Sequence, residues 1–171
     1  MARLLRGKPG LGPTLGVLLG AGLLAALAGC APPPPPPPTV VQLTLSASQD
    51  VNATASCQGA PVQIVVYQLG SASSFNAAEF FQLFNQDQAT LGADLIKKDT
   101  YILAPGQSKT ATLSPTEPVK VLGVFAAYQN FQTVTWRGTA DIPPHQTTNV
   151  TVVAAKTGVT VTAAPASKPG S

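Results

Sequence analysis

The chain has 171 residues and a formal charge of +3, with ten basic and seven acidic side chains and one histidine. Three of the ten basic residues fall within the first eight positions, so beyond residue 29 the two signs balance at seven each, and no strong field is left to recruit nucleic acid or steer an ionic substrate. With one histidine, two cysteines and no glycine-rich phosphate loop, the usual zinc ligand sets and Cys/His nucleophile pairs are excluded, and no enzymatic activity and no cofactor or metal are expected.

Arg3, Arg6 and Lys8 are followed by an uncharged run from Leu11 to Leu27, the layout of an export signal. A transmembrane helix is the alternative, but the glycines and Pro13 weaken it and the prolines that follow cannot continue it. The run ends Leu27-Ala28-Gly29-Cys30, which is similar to a bacterial lipobox. That similarity implies lipid on the Cys30 sulfur, cleavage before it and acylation of the new amino terminus. Ala26-Leu27-Ala28 also offers a site for ordinary signal peptidase, which would leave a soluble protein beginning at Gly29. Ala31 is not the aspartate that retains many such lipoproteins in the inner membrane, so the expected location is the outer membrane, facing the periplasm. Pro32 to Pro38 suit a polyproline II spacer of about 20 Å, or else a ligand for a proline-recognition domain. The expected organisation is a signal peptide at 1–29, lipidated cysteine and spacer at 30–38, one β-sandwich domain at 39–163 and a disordered tail at 164–171.

Val40 to Ala47 alternates apolar and polar residues as a half-buried strand does. Ser48 to Pro61 is polar and reads as a long loop, and Val62 to Leu69 is apolar on both faces, as a central strand would be. A helix is expected to start with Asn76 as N-cap, Glu79 closing a capping box and Phe75 stapled to Phe80. Phe80, Phe81, Leu83 and Phe84 form its apolar face, and Asp87 to Leu95 adds a further short turn of helix. Tyr101 to Leu103, a type II turn at Pro105-Gly106, Ser108 to Leu113, Val119 to Tyr128, Thr133 to Ala140, Thr148 to Ala154 and Val159 to Thr162 supply the remaining strands. Gly123 within the longest of them implies a bulge or close packing. Eight short strands with one helical insertion point to a β-sandwich.

His145 follows two prolines and reads as a solvated loop residue, Asp87, Asp94 and Asp99 lie near Lys97 and Lys98 as a solvated charged segment, and Cys57 reads as an incidental small residue. Partner recognition remains the open function. The order of the first strand, polar loop, buried second strand and "SSFNAAEFFQLFNQDQATLGADLI", followed by Ala104-Pro105-Gly106, "VLGVFAAY" from Val121 to Tyr128 and Trp136-Arg137, resembles TssJ, the outer-membrane lipoprotein of the bacterial type VI secretion system. The resemblance implies a mainly β, transthyretin-like sandwich of two four-stranded sheets with a short helical insertion after the second strand. It also implies an anchor for the trans-envelope complex that binds the periplasmic domain of TssM and, through it, TssL. The family's contact element is the loop between strands one and two, which makes Gln49, Asp50, Val51 and Asn52 the expected contacts. The alternative is a free-standing lipoprotein with a small apolar ligand or glycan in a pocket near Phe80, Phe84 and Tyr101.

Overall fold

The structure is a computed structural model that describes residues 33–53 and 58–166. Cys30, Cys57, the signal region 1–29 and the tail from residue 167 lie outside the described residues. Contacts divide the chain into Met1–Pro35 and Pro36–Ser171, and all that follows concerns the second unit.

The element order is β1 (Val40–Ala47), β2 (Val62–Leu69), α1 (Ser73–Ala77), α2 (Phe80–Leu91), a 3₁₀ turn (Gly92–Asp94), β3 (Leu95–Leu103), β4 (Ser108–Leu113), β5 (Val121–Ala126), β6 (Arg137–Asp141), β7 (Thr147–Ala155) and β8 (Gly158–Pro165). Two four-stranded sheets form, in the orders β4-β1-β7-β8 and β3-β2-β5-β6, as expected. All pairs are antiparallel except β1 with β7, which run parallel from Val40↔Thr147 to Ala47↔Ala154.

The burial of each strand follows from what covers it. On β1 and β7 alternate residues are buried, among them Val41, Leu43, Leu45, Val150 and Val152, because one face of their sheet meets the other sheet. β2 is buried almost throughout because its sheet is covered twice. Ile64 and Val66 enter the core between the sheets, while Val65, Tyr67 and Leu69 join a second core with Phe75, Phe80, Leu83, Leu91 and Phe125 beneath the helices. Gly123 is the close-packing case: a Cβ there would lie 3.0 Å from Leu69 and 3.1 Å from Phe75, so its absence lets the Phe75 ring rest on the sheet.

The helical insertion differs from expectation in where it starts. Asn76 is exposed and lies inside the five-residue α1, and the chain re-extends at Ala78 before α2 begins with Glu79 as N-cap. The amide of Glu79 donates to Gln82 Oε1 at 2.8 Å, so the box is shifted three residues onward from the Asn76 start. Burying Phe75 against the sheet has priority over one continuous helix, since Phe75 and Phe80 must both reach the same core from opposite sides of the break. Gln82→Ala is therefore expected to cost about 1 kcal/mol and Asn76→Ala less than about 0.5 kcal/mol, read as urea midpoints. The reverse ranking would restore the start at Asn76.

A second irregularity falls at Gln86, whose φ of −141° and ψ of 35° kink α2. Beyond it, Asp87 accepts from Tyr67 Oη at 3.1 Å and pairs with Lys98 at 2.7 Å, fastening the helix to β2 and β3. Burial first, then the Asp87 charge and hydrogen bond, hold the Tyr67 phenol well above its ordinary range, so it remains a neutral donor. Asp94 accepts from Ser74 Oγ at 2.6 Å and Asp99 lies 3.7 Å from Lys97. The three carboxylates thus have separate structural partners. Strand β3 begins at Leu95, well before the expected Tyr101, because Lys97 and Lys98 sit on exposed edge positions of a paired strand. β5 is shorter than expected, Trp136 precedes β6, and β8 continues through Ala163, Ala164 and Pro165 in register with β7.

Candidate functional site

The registers sort the loops to two ends. Val40↔Thr147, Thr148↔Pro165 and Val121↔Asp141 mark one end, where the chain enters the sandwich. There His145 donates its amide to Thr39 Oγ1 at 2.9 Å, and its Nδ1 lies 3.2 Å from the Pro37 carbonyl. Ala47↔Ala154, Ser46↔Ser108, Val62↔Leu103 and Phe125↔Arg137 mark the other. The β1–β2 loop, the β3–β4 turn, the β5–β6 segment and the β7–β8 turn therefore gather at the end opposite the chain's entry. An eight-residue β1 separates the ends by about 26 Å.

The β1–β2 loop is held by its own backbone and by both neighbours. Ser48 donates its amide to Ala154 and accepts from Gly106, and Ala60 donates to Val51. Pro105 and Gly106 form the expected turn: Gln107 donates to the Ala104 carbonyl at 3.0 Å, and Gly106 takes a φ of 73°. Its missing Cβ is also what seats the loop, because a methyl there would fall 2.3 Å from Gln49 Nε2. Gly106→Ala is expected to cost about 1–2 kcal/mol from the left-handed backbone alone. Adding Gln49→Ala should recover only the clash; full recovery in denaturation midpoint would mean the backbone is not strained.

The four expected contact residues divide in two. Gln49 and Asp50 are exposed, with Ser48 Oγ donating to Asp50 Oδ1 at 2.6 Å. Val51 is fully buried in the core between the sheets, and Asn52 is only 4% exposed. Asn52 takes a left-handed φ of 49°, donates to the Pro61 carbonyl at 3.0 Å and accepts the Gln129 amide at 2.8 Å. It joins the two ends of its own loop to the β5–β6 segment, so these two side chains shape the loop while Gln49 and Asp50 display it.

The β5–β6 segment carries the second part of this end. Tyr128 donates to the Ala155 carbonyl at 2.9 Å, and burial pushes its phenol well above the ordinary range. Phe131 stacks on Phe80 with centroids 4.2 Å apart, and Trp136 meets Phe80 edge-on at 5.4 Å. Arg137 lies 4.6 Å above the Trp136 ring and donates to the Phe75 and Ala78 carbonyls, capping the break between α1 and α2. Trp136-Arg137 is thus a structural clasp.

Phe81 and Phe84, expected to pack on the body, are instead half-exposed at 56% and 50%. For Phe81 the signal was in the sequence, since it stands about 100° from Phe80 and about 160° from Leu83 around the helix; Phe84, four residues from Phe80, shares its side and carried no such signal. Tyr101 does not join Phe80 and Phe84 in the expected pocket, since it packs against the core between the sheets and the two phenylalanines lie on the far side of their sheet. Among the described residues no three His, Cys, Asp or Glu side chains come together to hold a metal.

Comparison with known proteins connects this arrangement to a family. Residues 39–157 match the model of the family described as "Type VI secretion lipoprotein, VasD, EvfM, TssJ". The crystal structure of the type VI secretion lipoprotein TssJ1 from Pseudomonas aeruginosa is 32% identical, with a TM-score of 0.73 over 77% of this chain and 100% of that one. Serratia marcescens Lip, a membrane-bound component of the type VI secretion system, is 31% identical, with a TM-score of 0.68 over 73% of this chain and 98% of that one. One chain of a structure described as "T6SS protein TssM C-terminal domain (869-1107) from EAEC", a chain shorter than the segment that description gives, shares the fold at 22% identity and a TM-score of 0.61, over 72% of this chain and 98% of that one. A search of curated proteins found no match. With the family match spanning most of its length and two solved members superposing on its sandwich, the chain belongs to the type VI secretion lipoprotein family.

Proposed function

We propose that this lipoprotein anchors the trans-envelope complex of the type VI secretion system at the outer membrane, through lipid on Cys30 and through binding of the periplasmic domain of TssM, which links it to TssL. The observation that carries this reading is the separation of the two ends. The chain enters at Val40, while Gln49 and Asp50 are displayed at the opposite end of the sandwich, away from the membrane that an anchor at Cys30 would reach. The loop that displays them is polar, which suits a wet rim to an interface. The role is one of binding, without catalysis: the sole histidine serves the linker, and the carboxylates of the helical insertion serve its packing.

A photocrosslinking residue tests the direction. Placed at Gln49 or Asp50 of the full chain in cells, it is expected to capture TssM, and placed at Thr116 near the entry end it is not. Capture from Thr116 alone would reverse the orientation.

A further inference from the structure

Among the described residues five large apolar side chains are exposed: Phe81, Phe84, Ile96, Ile102 and Val153. The last three stand on strands, as scattered apolar residues commonly do. Phe81 and Phe84 differ because they belong to one run of rings, with Phe84 stacked on Phe80 at 5.9 Å, Phe80 on Phe131, and Phe131 edge-on to Phe81 at 5.1 Å. They border a depression of about 290 Å³ that Ala127, Tyr128 and Gln129 complete. No residue lining it is charged.

Position points to the occupant. The amide of Gln129, on the rim of this depression, is bonded to the buried side chain of Asn52 in the β1–β2 loop, so the rings lie beside that loop at the same end of the sandwich. Area requires such an extension: a stable complex covers roughly 800 Å² on each partner around an apolar centre. A loop displaying Gln49 and Asp50 supplies a polar rim and no centre. We propose that the Phe81–Phe84–Phe131 depression receives an uncharged aliphatic or aromatic side chain projecting from the periplasmic domain of TssM, making it the buried centre of the interface whose rim is the loop. This inference rests on the docking role proposed above. The neutral lining fits an apolar anchor, and the open shape and modest volume suit a protruding side chain better than an enclosed free ligand.

The test uses the full chain in detergent and the periplasmic domain of the cognate TssM. Phe81→Ser with Phe84→Ser is expected to weaken binding at least about tenfold with the melting temperature retained. Ile102→Ser, which alters the most exposed apolar side chain on β3, should leave binding within about twofold. Unaltered binding by the double variant would overturn the inference while leaving the docking role intact. Failure of the unmodified chain to bind would overturn both. Self-association of the unmodified chain that the double variant abolishes, with TssM binding preserved, would assign the rings to a second copy and overturn it as well.

Discussion

A Cys30→Ser chain is expected to take up no palmitate and to leave the outer-membrane fraction entirely. The Cys30 sulfur is the attachment atom that the lipobox-like Leu27-Ala28-Gly29-Cys30 implies, and serine does not replace a thiolate nucleophile at that step. The effect is all or none because of how acyl chains add. Each buried methylene contributes about 0.8 kcal/mol, one myristoyl-sized chain binds a bilayer only marginally, and more than one makes attachment lasting. Losing the site removes all of them together. Labelling with palmitate and density fractionation read the two consequences independently. Persistent labelling would place the lipid elsewhere, and a natural amino terminus at Gly29 would favour the ordinary signal-peptidase site at Ala26-Leu27-Ala28.

Asn52→Ala is expected to destabilise the domain by about 2–4 kcal/mol and lower its melting temperature by roughly 10 °C. Two costs combine. The amide of Gln129 and the carbonyl of Pro61 each lose a part-buried hydrogen bond, at about 0.5–1.5 kcal/mol apiece. The left-handed backbone at φ 49°, which asparagine tolerates, adds about 1 kcal/mol for alanine. Asn52→Gly loses the bonds and keeps the backbone, so it should fall between the two. An unchanged melting temperature in Asn52→Ala together with weaker TssM binding would contradict this and make Asn52 a direct contact.

The fold was largely legible because its signals are local and redundant. Alternation in Val40 to Ala47, the two-faced apolar run Val62 to Leu69 and the Pro105-Gly106 turn each specify their element from neighbouring residues, and each lies where expected. The helix start was not, since two overlapping signatures, Asn76 with Glu79 and Glu79 with Gln82, compete, and only the packing of Phe75 decides between them. Strand β3 was truncated for a related reason: Lys97, Lys98 and Asp99 resemble a loop unless their pairing with Gln68, Tyr67 and Val66 is known. At the proposed docking end, sequence located the loop but not which of its residues face out. Val51 and Asn52 turn inward because the loop closes over the end of the core, which depends on Gly106 and Gln129, residues more than fifty positions away. The exposed rings likewise depend on Phe131 meeting α2 from the β5–β6 segment.

The most direct measurement is the equilibrium affinity of the full chain in detergent for the periplasmic domain of its cognate TssM, compared with a Gln49→Ala, Asp50→Arg variant of unchanged melting temperature. Saturable binding by the unmodified chain, weakened at least about tenfold in the variant, is the predicted result. Equal affinity of the two would contradict docking through the β1–β2 loop, and no binding by the folded unmodified chain would contradict the anchor role itself.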